Sequence, residues 1–158
     1  ADYRAEVEPM RHINVPDLGR NGSVTPCPVR WSDLDSYGHV NNVKVLDYLM
    51  QARIAATTSW SPAMARSGTN GSRLNWLIAR QDIDYINQIT HRTDPYAVRT
   101  APAKLGNSSV TLVAEIFNPH DGAPFARGRT VLVAADRQGK PVELPAEVRT
   151  DLSERLIA

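Results

Sequence analysis

The 158-residue chain has one cysteine, almost no net charge and no long apolar run, and each shortage removes a class of protein. Cys27 has no second cysteine to pair with, so no internal disulfide forms and the composition suits a reducing compartment. Lys and Arg number 18 against 17 Asp and Glu, a formal charge of +1. Such a balance excludes the broad positive footprint of a nucleic-acid binder, though not a local patch for a phosphorylated carrier. No apolar stretch approaches the length that spans a bilayer. The opening Ala1-Asp2-Tyr3-Arg4-Ala5-Glu6 lacks the apolar stretch of a signal peptide, so a cytoplasmic protein is expected. The histidines, His12, His39, His91 and His120, show no metal-ligand spacing, and neither metal nor cofactor is expected.

What is present is an ordinary globular composition, 42% apolar and 22% charged, long enough for one domain with its own core. Residues 1–23, with Pro9, Pro16, Gly19 and Gly22, read as an irregular extension, and 24–158 as the single domain. Val24 to Trp31 contains Pro26 and Pro28 and reads as an edge strand or lead-in. From about Asn42 to Trp60, Val43, Leu46, Met50 and Ile54 recur at helical spacing, with a second row, Val45, Leu49, Ala52 and Ala56, beside them. So wide an apolar surface predicts a helix enclosed by protein on most sides. Ser61 to Ser72 reads as a loop. The period then changes to two, and four strands follow, around Trp76–Tyr85, Tyr96–Thr100, Val110–Ile116 and Phe125–Asp136, before a short helix opened by Pro145. The order predicts an α+β architecture, an antiparallel sheet wrapped around one helix. Its open edges and second face predict a homo-oligomer.

The chemistry concentrates in Trp31-Ser32-Asp33-Leu34-Asp35-Ser36-Tyr37-Gly38-His39-Val40-Asn41-Asn42-Val43. This run places a carboxylate, a glycine and a histidine just ahead of a helix N-terminus. The first amides of a helix lack intrahelical partners and can hold a polarised carbonyl oxygen. Gly38 permits close approach of substrate to the backbone, and Asp35 can serve as general base or as nucleophile. The same residues also satisfy a purely structural reading. Asp-x-x-Gly is a common turn in which the aspartate bonds its own backbone, and Asn41 or Asn42 can be a cap.

The run resembles the signature of hotdog-fold thioesterases of the 4-hydroxybenzoyl-CoA thioesterase type, and is similar to the matching segment of plant acyl-ACP thioesterases. Weaker likeness continues at Ile83-Asp84-Tyr85, Ser108-Ser109-Val110 and Ala126-Arg127-Gly128-Arg129, so it covers roughly residues 25 to 145. The resemblance implies a hotdog fold, dimers often paired into tetramers, active sites at the dimer interface, and an acyl-CoA or acyl-carrier-protein substrate. It implies Asp35 as the catalytic acid and amides around Asn41, Asn42 and Val43 as oxyanion donors. His39 matches a position that matters in the plant pattern, whereas Tyr37 stands where that pattern has Asn. A further family carboxylate falls near Gln88, which leaves Asp35 as the lone acid. His39 would orient substrate or Asp35, or make a structural hydrogen bond.

Arg127 and Arg129 share a strand face and are candidates for CoA phosphates, as are Lys104 and Ser108 near a turn; the alternative is a solvated strand face. Asp33, two positions before Asp35, is expected to be structural, the alternative being a carboxylate pair with Asp35. Cys27, between two prolines, would need a base brought in by folding to act as a nucleophile. Trp31, Trp60 and Trp76 are expected as core or interface anchors, and Ser61 to Arg73 as a lid or a plain connection. Against thioester hydrolysis stand a non-catalytic acyl-binding protein and an enoyl-CoA hydratase. The Asn-Pro that hydratases of this fold carry after the aspartate is missing after Asp35.

Overall fold

The structure, a computed structural model, describes residues 22–68 and 74–157. The extension expected over 1–23 therefore lies almost wholly outside the described residues. Five strands form one antiparallel sheet: β1 (Ser23–Cys27), β2 (Asn75–Tyr85), β3 (Tyr96–Leu105), β4 (Ser109–Phe117) and β5 (Pro124–Ala135). Their spatial order is β1-β3-β4-β5-β2. Short turns connect β3 to β4 and β4 to β5, and Gly122, at φ 76, supplies the positive angle the second turn requires. The long helix α1 (Asn42–Trp60) lies across the inner face, giving the α+β hotdog arrangement.

Along β5 the inward row is Ala126, Gly128, Thr130, Leu132 and Ala134, buried at alternate positions as a strand with one covered face must be. Val45, Leu49, Ala52 and Ala56 of α1 meet this inner face, and two clusters fill the space between. One, under the first half of α1, includes Val45, Leu49, Tyr96, Val98 and Ile116. The other, under the second half, joins Trp60 to Val148 and Leu152 of the terminal helix α3 (Ala146–Ser153).

Two expectations need correcting. Helix α1 is not enclosed on most sides by the described residues: the row Val45, Leu49, Ala52 and Ala56 is buried, while Val43, Met50 and Ile54 are exposed. One sheet can cover only one stripe of a helix, so the row of Val43, Met50 and Ile54 is left uncovered. The segment after Trp60 is not all loop, because Pro62 to Ala65 forms a one-turn helix, α2, capped by Ser61. Met64 from that turn is buried with Trp60, so this part is packed into the core; residues 69–73 of the expected lid lie outside the described residues. Among the described residues, no helix is long and apolar enough to cross a membrane.

Candidate active site

Residues 34–40 fold into a miniature hairpin. Leu34 bridges Val40, the Asp35 amide donates to the His39 carbonyl at 2.8 Å, and Gly38 turns the chain at φ 80. The Val40 amide, donating to the Ile89 carbonyl at 2.8 Å, and a bridge from His39 to Thr90 pin this hairpin to the β2–β3 connection. A cavity of about 660 Å³ opens between them. Asp35, Tyr37, His39 and Asn42 line its polar side, and Val45, Tyr85, Ile86, Ile89, Phe125 and Ala126 give it apolar walls.

Asp35 takes the turn geometry that one reading of its sequence context requires. Its Oδ1 accepts from the Tyr37 amide at 2.9 Å and the His39 amide at 3.3 Å, as a turn-forming aspartate does. Its Oδ2 accepts no hydrogen bond among the described residues, so the turn fixes the carboxylate while leaving one oxygen for the cavity. Among the described residues no other carboxylate lines the cavity, and Gln88 stands in its wall.

The expected oxyanion donors separate sharply. The Asn41 amide donates to the Asp33 carbonyl at 2.9 Å, and the Val43 amide to Asn41 Oδ1 at 3.0 Å. Gly38 likewise commits its amide to the Asp35 carbonyl at 3.1 Å. Only the Asn42 amide has no acceptor among the described residues, and of the three helix-start residues only Asn42 lines the cavity. Asn41 is thus the cap and Asn42 the open donor, a division that the identical pair of letters could not reveal. His39 also lines the cavity, and among the described residues its imidazole makes no hydrogen bond, neither to Asp35 nor to a structural partner.

Tyr85 went unread as a site residue. It ends β2, donates its hydroxyl to the Asn42 carbonyl at 3.0 Å, and so ties the sheet edge to the first turn of α1. Burial raises its pKa above the ordinary tyrosine value. Its place at the end of an alternating strand was the only local hint; that the strand ends beside the helix N-terminus is a long-range fact.

None of the four candidate phosphate contacts lines the cavity. Arg127 and Arg129 point from the outer face of the sheet, where Arg127 Nε pairs with Glu115 at 2.7 Å and Arg129 grips Asp82 through Nε and Nη2 at 3.1 and 2.9 Å. Lys104 and Ser108 sit toward the opposite end of the sheet, roughly 20 Å away along the strands at 3.3 Å per residue.

A second cavity, of about 600 Å³, flanks α1 on its β1 side. Asp33 lines it, buried, and accepts from the Tyr48 hydroxyl at 2.6 Å and the Arg30 amide at 3.2 Å. Tyr48 is held protonated by burial and by that hydrogen bond to Asp33. Cys27 also borders this cavity, and burial, helped by the Asp33 charge, pushes its thiol up to about 12. A thiol held neutral is no nucleophile. Of the tryptophans, Trp60 and Trp76 anchor indole N–H groups on Ser23 and Ser67, at 2.6 and 3.0 Å, whereas Trp31 is 75% exposed and meets only the edge of His91.

Comparison with known proteins agrees with this geometry. The family described as the Thioesterase-like superfamily matches residues 29–152. A curated protein of Bacillus subtilis strain 168, the uncharacterized protein YsmA, is 28% identical over 128 residues, covering 78% of this chain and 80% of its own. A predicted thioesterase from Bacillus stearothermophilus superposes with a TM-score of 0.74 at 28% identity, over 86% of this chain and 97% of that one. A thioesterase from Thermus thermophilus, solved with coenzyme A and Zn, gives a TM-score of 0.71 at 30% identity, over 85% of this chain and 93% of that one. With the family match spanning the site hairpin, α1 and all four later strands, this chain belongs to the Thioesterase-like superfamily.

Proposed function

We propose that the chain hydrolyses acyl-CoA-type thioesters to free acid and thiol, with Asp35 as the general base. One observation carries this reading: a carboxylate oxygen without a partner and a helix N-terminal amide without an acceptor open on the same apolar-walled cavity. The thioester carbonyl accepts from the Asn42 amide, which strengthens as charge develops on oxygen. Asp35 Oδ2 takes a proton from water as the water oxygen bonds to the carbonyl carbon. The tetrahedral intermediate then collapses, the C–S bond breaks, and the proton passes from Asp35 to the departing sulfur. His39 faces the same space and orients the substrate. The CoA bound to the Thermus thermophilus relative supports CoA as the carrier.

The site is completed by a second copy. Strand β2 is an 11-residue edge strand, paired with β5 on one side only, and its Leu77 and Ile78 are exposed. A long apolar edge of this kind invites pairing. The uncovered row Val43, Met50 and Ile54 of α1 needs a partner surface too. We read both as faces of a homodimer, or of a homotetramer built from it. Arg127, Arg129, Lys104 and Ser108 then remain CoA contacts only as residues of a neighbouring copy.

A panel of acyl-CoAs with a thiol-reactive dye tests the function. Asp35→Asn keeps an acceptor oxygen for the Tyr37 and His39 amides, so the hairpin and the melting temperature should survive. Turnover should fall by about a hundredfold or more, the size of a general-base contribution. Wild-type turnover in Asp35→Asn would remove Asp35 from the mechanism. Hydration without thiol release identifies a hydratase, and binding without turnover an acyl-binding protein.

A further inference from the structure

One contact lies just past the apolar end of the cavity. Its lining includes Val45 from α1 and Ala126 from β5, but neither of the next inward residues on those elements, Leu49 and Gly128. Those two press together: a Cβ built on Gly128 would lie 2.9 Å from Leu49 Cδ1, closer than real Cβ atoms come. Gly128 is not among the glycines with positive φ, so it is no turn residue. A glycine inside a strand costs stability and marks close approach, here the approach of a leucine to bare backbone. Beyond this point the helix side of the seam between α1 and the sheet is lined by small residues, Ala52 and Ala56, both buried.

We infer that Leu49, seated on Gly128, is the stop that sets acyl length, and that the site takes short-chain or single-ring acyl groups. This rests on the proposed binding of the thioester carbonyl at the Asn42 amide. From Asn42 to Leu49 the helix advances about 10 Å, at 1.5 Å per residue. An acyl group entering from the Asn42 end passes Val45 and Ala126 and then meets the Leu49 side chain, which is 4% exposed and packed into the first core cluster. The small residues behind it are where a longer chain would run once the stop is cut back.

The experiment measures affinity for non-hydrolysable thioether analogues of acyl-CoA, with saturated chains of increasing length, in the wild type, Leu49→Val and Leu49→Ala. Thiol release from the matching thioesters is followed in parallel. In the wild type, affinity should rise about fourfold per methylene (~0.8 kcal/mol per buried CH₂) and then level off at a short chain. The plateau should move to longer chains in Leu49→Val and further in Leu49→Ala. Leu49→Val removes a single methylene and keeps the test alive if Leu49→Ala fails to fold. A wild-type affinity that keeps climbing into long chains overturns the inference, as does an unmoved plateau in Leu49→Val. A moving plateau with no thiol release from any thioester supports the stop while rejecting hydrolysis. Absence of affinity for every analogue overturns both.

Discussion

Two cavities of nearly equal volume flank the same helix, about 660 Å³ on its β5 side and about 600 Å³ on its β1 side. Each contains an aspartate from one short segment, Asp35 in the first and Asp33 in the second. In the second cavity several polar groups are engaged with one another. Asp33 holds Tyr48 and the Arg30 amide, Lys44 pairs with Asp47 at 3.5 Å, and the Cys27 thiol is locked neutral. In the first, Asp35 Oδ2, the Asn42 amide and the His39 ring have no partners among the described residues. Volume does not separate the two; the difference is that a helix N-terminal amide without an acceptor belongs to the first cavity's lining, while the second cavity's aspartate is held by a side chain of the helix itself.

The contrast breaks most visibly at the two aspartates. Loss of catalysis by about a hundredfold or more with an unchanged fold is expected only at Asp35. If Asp33→Asn matched that loss at unchanged melting temperature, the two cavities would not differ as argued. Next in size, Tyr48→Phe removes a hydrogen bond to a buried carboxylate and should cost about 2 kcal/mol in chemical denaturation, with kcat changed little. A kcat loss larger than the stability loss would place Tyr48 in the chemistry.

The outer face of the sheet extends the same contrast at smaller amplitude, because its charges are paired. The Arg129 guanidinium, hydrogen-bonded to Asp82, holds that carboxyl below its ordinary value of 3.8. A depressed folded-state pKa contributes stability above the unfolded value and loses it as pH falls through the folded one. Asp82→Asn should therefore flatten the acid limb of a stability–pH profile, by less than about 1 kcal/mol since the pair is partly solvated. Smallest of all, Cys27 should resist alkylation in the native protein at neutral pH, and Cys27→Ser should leave thiol release as it was. Rapid modification without unfolding would mean that the second cavity is open to chemistry after all.

Much of this was legible from residues alone. The span of α1 was set by period and cap, Asn41 to Trp60, and the strands by alternation between turn signals. The hairpin of Asp35 and Gly38 was readable because its decisive bonds join residues two to four apart. The exposure of Val43, Met50 and Ile54 was not, since an apolar row looks the same in sequence whether its cover is the chain's own sheet or another copy. Arg127 and Arg129 could be assigned to one face of β5, but the face itself depends on which side α1 lies.

The sequence by itself determined the kinds of groups present and their local geometry: an acid on a glycine turn, an asparagine pair at a helix start, an alternating sheet to follow. Only the tertiary structure decided which of those groups stay free to act. Asn41 loses its amide to Asp33, Val43 loses its amide to the Asn41 side chain, and Asn42 keeps its own beside Tyr85. The first two are local contests, but the space in front of the third is made by β2, β5 and the connection at Ile86 to Ile89. Hydrogen-bond competition and cavity walls are set by neighbours in space, and most of these lie tens of residues away in the chain.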